Sequence, residues 1–151
     1  MDINLQLPIS HLMSTEVIFV KPDDLMTEVE VIFKSHPIHH LPVLEEDGHP
    51  AGVISKHDYF QLQHHFSRMK WPKAMSQNER LFSCELVSDV MSSDPVCLNS
   101  THTLADALDV FLENMFHCIL VCEDGVCVGI LTPYDILKYV RLPSRNLFAS
   151  N

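Results

Sequence analysis

The chain has 151 residues, 46% of them hydrophobic and 20% charged, enough to bury one core or two closely joined half-size units and too apolar for disorder. Twenty acidic residues against ten Lys and Arg leave a formal net charge of -10, which argues against a nucleic-acid partner needing a basic face for its phosphates. No apolar stretch approaches the roughly 20 residues of a membrane helix, and no basic segment leads into an apolar one at the start, so we expect a cytoplasmic chain with no membrane partner.

In chain order, Ile9-Ser10-His11-Leu12-Met13-Ser14 reads as a short turn, followed by an apolar strand at Val17 to Val20. Leu25, Val29, Ile32 and Phe33 then recur at helical spacing, with Asp23 or Asp24 as the expected N-cap and Pro37 helping to end the helix. Two strands follow, His40 to Leu44 and Ala51 to Ile54, joined through Glu46-Asp47-Gly48, whose Asp-Gly pair is a hairpin signal. A closing helix opens at Ser55. Residues 64 to 85 read as a helical extension, a Pro-marked break at Trp71-Pro72 and a polar linker, with Trp71 expected to pack on the core.

The pattern then starts again. Val87-Ser88-Asp89-Val90-Met91-Ser92 repeats the leading turn, and Phe111, His117 and Val121 return at the same offset from Phe33, His39 and Val43. After one deletion, Asp124-Gly125 matches Asp47-Gly48, Gly129-Ile130-Leu131-Thr132 matches Gly52-Val53-Ile54-Ser55, and Asp135 matches Asp58. The second copy predicts a strand at Val96 to Leu98, a helix through Leu104, Ala107, Leu108 and Phe111 after Thr103, strands at Ile119 to Cys122 and Val126 to Leu131, and a helix opening at Thr132-Pro133. The two copies cover roughly 8–63 and 86–141, and the order in each is β-α-β-β-α. We divide the chain into a first repeat with its helical extension (1–70), a linker (71–85) and a second repeat (86–151).

These segments resemble the CBS (cystathionine-β-synthase) domain, twice over. The leading Leu-Met-Ser, Pro22-Asp23, the run His39-His40-Leu41-Pro42-Val43-Leu44 and Gly52-Val53-Ile54-Ser55-Lys56-His57-Asp58 carry the first likeness. Asp89-Val90-Met91, Asp94-Pro95-Val96, His117-Cys118-Ile119-Leu120-Val121 and Gly129-Ile130-Leu131-Thr132-Pro133-Tyr134-Asp135 carry the second. The resemblance implies an α/β (α+β type) fold of two tandem repeats packed with pseudo-two-fold symmetry, which commonly forms a homodimer. It also implies a regulatory module, not an enzyme, that senses AMP, ADP, ATP or S-adenosylmethionine and acts on a separate effector protein. An adenosine nucleotide is then a regulatory ligand and no cofactor is required. The alternative is a ligand-free dimerisation and interaction module.

Ser55 with Asp58, and Thr132 with Asp135, stand at helix starts, where free backbone N-H groups and the dipole favour an anion. The hydroxyl suits a phosphate and the carboxylate suits ribose hydroxyls. The same spacing is also a variant capping box, and the two roles can coexist. For the base, the resemblance implies a slot lined by Ile18 and Ile38 in the first copy and by Val96 and Phe116 in the second; ordinary core packing is the other reading of each. In related pairs each pocket joins the base slot of one repeat to the Ser/Thr-Asp motif of the other. His39, His40 and His117 fall where relatives often carry His or Arg facing phosphates. Lys56 is the one fixed cation inside either motif, which favours a monophosphate or S-adenosylmethionine over a triphosphate.

Other chemistry finds little support. Five cysteines, an odd number mostly in apolar segments, fit free thiols in a reducing compartment. Cys118, Cys122 and Cys127 lie on strands expected to be buried, without the paired turn spacing of a structural zinc site, so no metal is expected; His39, His40, His64 and His65 are the candidates for adventitious binding. There is no Gly-rich phosphate loop and no dinucleotide fingerprint.

Overall fold

The computed structural model describes residues 3–67, 84–113 and 115–141. Trp71 and most of the 71–85 linker fall outside these residues. The described elements are a 3-10 turn at Ile9–His11, α1 at Met26–Ser35, β1 at His40–Leu44, β2 at Pro50–Ser55 and α2 at Lys56–Ser67. A short helix α3 at Val87–Val90 follows, then β3 at Ser92–Ser93, β4 at Cys97–Asn99, α4 at Leu104–Leu112, β5 at Ile119–Glu123, β6 at Val126–Leu131 and α5 at Pro133–Arg141. The repeated helix-strand-strand-helix order of the sequence is therefore present in both copies.

Two compact units result, Ile18–Pro95 and Met1–Val17 with Val96–Asn151, and their limits are not those of the repeats. In the first unit β1 and β2 form an antiparallel hairpin with His40 opposite Ser55, and β3 adds to β2 with Gly52 opposite Ser93. Val20, Met26, Val29, Phe33, Leu41, Val43, Ile54, Tyr59 and Val87 form its core. In the second unit β4 runs parallel to β5, and β5 pairs antiparallel with β6. Ile9, Ala107, Ile119, Val121 and Leu131 form that core, with Leu12 and Met13 packed against it.

The leading turn of each repeat thus completes the unit that holds the strands and helices of the other. Two observations explain this. First, the residues just ahead of it supply backbone acceptors to a helix start: the Glu85 carbonyl accepts from Met26 N-H at 2.9 Å, and the Leu7 and Leu5 carbonyls accept from Leu104 and Ala105 at 2.8 and 3.0 Å. Second, it lays a methionine over a strand glycine. A Cβ on Gly52 would stand 2.7 Å from Met91 Sδ and 2.7 Å from the Ser92 carbonyl oxygen, and one on Gly129 would stand 2.5 Å from Met13 Sδ. Only glycine admits so close a neighbour.

Three expectations change. The Val17–Val20 strand shrinks to a single parallel bridge of Val20 to Val43. Pairing stops there because the Asp24 carboxylate takes the Lys21 N-H at 2.7 Å, and Pro22 has no N-H to offer. For the same reason Asp24 does not cap α1: Leu25 precedes the helix without a side-chain cap, and Glu85 supplies the acceptor instead. Cysteine burial also differs, since Cys84 and Cys97 are exposed, Cys122 and Cys127 half-buried, and Cys118 alone buried. The Asp-Gly turns are as expected: Gly48 (φ 85°), Asp124 (φ 50°) and Gly125 (φ 83°) take left-handed backbone, which Asp and Gly tolerate best.

Candidate functional site

Ser55 ends β2 and Asp58 lies in the first turn of α2. The Ser55 N-H and hydroxyl both donate to Asp58 Oδ2, at 2.9 and 2.6 Å, while Asp58 N-H donates to Ser55 Oγ at 3.1 Å. This is a complete capping box. The hairpin register brings the preceding strand alongside: His39 accepts Lys56 N-H on its carbonyl at 2.8 Å, with its side chain exposed. Ile18 and Ile38, in the same unit, pack partly buried against the core. Asp58 Oδ1 has no hydrogen-bond partner among the described residues, and neither does the Lys56 ammonium.

The second motif differs. Thr132 N-H and hydroxyl donate to Asp135 Oδ2 at 2.9 and 2.7 Å, as in the first copy. Here, however, Lys138 Nζ also donates to Asp135 Oδ1 at 3.0 Å and lies 4.5 Å over the Tyr134 ring. Asp135 is only 9% exposed. Both of its oxygens are engaged, and the cation beside it is held by a carboxylate and a ring face at once. Phe116 and Val96 are half-buried and His117 is exposed in this unit, and Val96 packs against its core.

Each compact unit therefore contains one full set of the sequence-predicted residues: Ile18, Ile38, His39, Ser55 and Asp58 in one, Val96, Phe116, His117, Thr132 and Asp135 in the other. Lys138 was not among the expected site residues. Its spacing three residues after Asp135 on a helix is the signal that would have found it. Among the described residues no group of three or more His, Cys, Asp or Glu is arranged to hold a metal ion, and no helix is long and apolar enough to cross a membrane.

The profile of the CBS domain matches residues 9–65 and 87–142. The chain belongs to the CBS domain family. Among curated proteins it resembles the inosine-5'-monophosphate dehydrogenase of Methanocaldococcus jannaschii, at 26% identity over 129 residues, 85% of this chain and 22% of the enzyme. The chain spans less than two thirds of the length of the curated relatives it matches. Among solved structures it resembles the CBS domain of a membrane protein from Sphaerobacter thermophilus (TM-score 0.74, 26% identity, 89% of this chain and 88% of that one). CBSX2 of Arabidopsis thaliana in complex with AMP has the same fold (TM-score 0.74, 21% identity, 92% and 99% covered). So does the CBS domain pair of protein MJ0100 in complex with 5'-methylthioadenosine and S-adenosyl-L-methionine (TM-score 0.69, 19% identity, 88% and 94% covered).

Proposed function

We propose that this CBS pair is a cytoplasmic regulatory module that binds an adenosine-containing ligand and acts on a separate protein, without catalysis of its own. The observation that carries the reading is the Ser/Thr-x-x-Asp helix start in both copies, one of which keeps a carboxylate oxygen open at Asp58 Oδ1. The family frame and the relatives crystallised with AMP or S-adenosyl-L-methionine support it. A ribose diol binds by donating to that oxygen, and the exposed N-terminal turn of α2, with Lys56, offers donors to a monophosphate. Asp135 is already saturated by Thr132 and Lys138, so ribose binding there must displace Lys138 first. The Asp58 motif is accordingly the stronger of the two.

Isothermal titration of AMP, ATP and S-adenosylmethionine into wild type, Asp58→Asn and Asp135→Asn tests this. Asn keeps an acceptor for the cap while removing the charge. Losing a hydrogen bond to a charged group costs about 1.5–3 kcal/mol, so Asp58→Asn weakens AMP binding roughly tenfold to a hundredfold. Asp135→Asn has a smaller effect. The hydroxyl-carboxylate hydrogen bond that closes each helix start on itself favours a second reading, a ligand-free dimerisation module; absence of binding by all three ligands, with a dimer in light scattering, establishes that one instead.

A further inference from the structure

The β4–β5–β6 sheet brings three thiols together on one face. Ile119 and Val121 point into the core, so alternation along β5 puts Leu120 and Cys122 on the opposite face. Cys97 is the register partner of Leu120, and Cys127 is the register partner of Cys122 across a bulge, which places both beside Cys122 on that face. The Cys97 and Cys127 thiols are near enough to Cys122 to act on its charge, both raising its pKa. Cys127 Sγ also donates to the Gly129 carbonyl at 3.5 Å. None of the three is in a disulfide; Cys97 is exposed and the other two are half-buried, within reach of a small reagent.

Directly opposed cross-strand residues have Cα atoms about 4.5–5.5 Å apart, inside the roughly 4.4–6.8 Å window of a disulfide. Cys97 is offset from Cys122 by two residues, and such diagonal neighbours stand about 7–8 Å apart, outside it. We propose that Cys122 and Cys127 form a cross-strand dithiol that a low-molecular-weight disulfide, such as oxidised glutathione, converts to an intramolecular disulfide. One cysteine thiolate attacks the reagent, whose S-S bond breaks and releases one thiol. The second cysteine gives up its proton and attacks the protein sulfur of the mixed disulfide, expelling the second thiol. Two protein thiols lose two electrons and two protons, and the reagent gains both as two thiols.

Burial, reinforced by the adjoining thiols, holds the Cys122 thiol up to about 12, and burial raises Cys127 as well. Attack therefore speeds up roughly tenfold per pH unit between neutral pH and about pH 9, following the thiolate fraction. Once formed, the bond is slow to reduce, because thiolates of high pKa are poor leaving groups.

The test incubates reduced protein with oxidised glutathione at pH 7 and pH 9, cleaves after Glu123 and Asp124 to separate the two cysteines, and maps the peptides without reductant. The expected map joins Cys122 to Cys127, with fragment ions distinguishing Cys122 from Cys118, and a mass loss of about 2 Da per chain. The link persists in Cys97→Ser and disappears in Cys122→Ser and Cys127→Ser. A wild-type map showing only glutathione adducts, chain-to-chain links through Cys84 or Cys97, a Cys97–Cys122 bond, or no oxidation overturns the proposal, whatever the stability of the serine variants.

Discussion

Alanine at Gly52 and at Gly129, equivalent positions of the two repeats, is expected to have unequal consequences. At Gly52 a Cβ meets the Ser92 carbonyl oxygen at 2.7 Å, and backbone at that distance must retreat about 0.7 Å to reach ordinary contact, prising β3 from β2 where Gly52 faces Ser93. At Gly129 the tight neighbour is the flexible end of Met13, with Sδ at 2.5 Å, while the Ser14 carbonyl oxygen stands at 3.2 Å and needs only a small shift. Overpacking of this kind costs about 1–3 kcal/mol, offset by about 0.4–1 kcal/mol because alanine restricts the unfolded chain. Gly52→Ala therefore loses about 1–2 kcal/mol, whereas Gly129→Ala stays within about 1 kcal/mol of wild type. Urea denaturation followed by far-UV circular dichroism measures both, and the melting temperature of Gly52→Ala should fall by about 2–8 °C. If Gly129→Ala proves the more damaging, or Gly52→Ala is neutral, the backbone contact does not govern these sites.

Thr103 and Asp106 form a complete capping box on α4, so Thr103→Ala should cost about 1 kcal/mol in the same denaturation assay while leaving ligand titrations unchanged. Tyr59, 4% exposed and donating to Glu30 at 3.1 Å, has its phenol pushed up to about 12, first by burial and then by the Glu30 charge. Its folded pKa lies above the unfolded one, so the stability is fully present below about pH 10 and is lost as pH rises toward 12, roughly 3 kcal/mol in all. Tyr59→Phe should abolish that part of the alkaline decline. Glu30 moves the other way, its carboxyl lowered chiefly by the Lys34 hydrogen bond despite partial burial, so its contribution is present above the unfolded pKa and lost as acid protonates it; Glu30→Gln should remove that part of the decline as pH falls below the ordinary carboxylate range.

The duplicated pattern, the strand hairpins and the Asp-Gly turns were legible in the sequence because each rests on local chemistry: apolar periodicity, left-handed backbone and capping spacing within a few residues. The Ser55–Asp58 and Thr132–Asp135 pairs were legible for the same reason, since a helix start places a residue and its third successor together. Less was visible where a contact spans distant segments. Asp24 reads as a cap for α1, but its carboxylate turns to Lys21 N-H, and a backbone carbonyl some sixty residues away, from Glu85, serves the helix. The difference between the two motifs depends on Lys138, one turn beyond Asp135, with no counterpart ion pair on Asp58 among the described residues.

By itself the sequence determined that the chain repeats a helix-strand-strand-helix order and where the hydroxyl-carboxylate pairs stand. Only the tertiary structure decided which body each leading turn joins, that one carboxylate is saturated while its twin keeps an open oxygen, and that Cys97, Cys122 and Cys127 share one face of a sheet. Those outcomes depend on register and on close approach over glycine, and neither is written in the periodicity of a single segment.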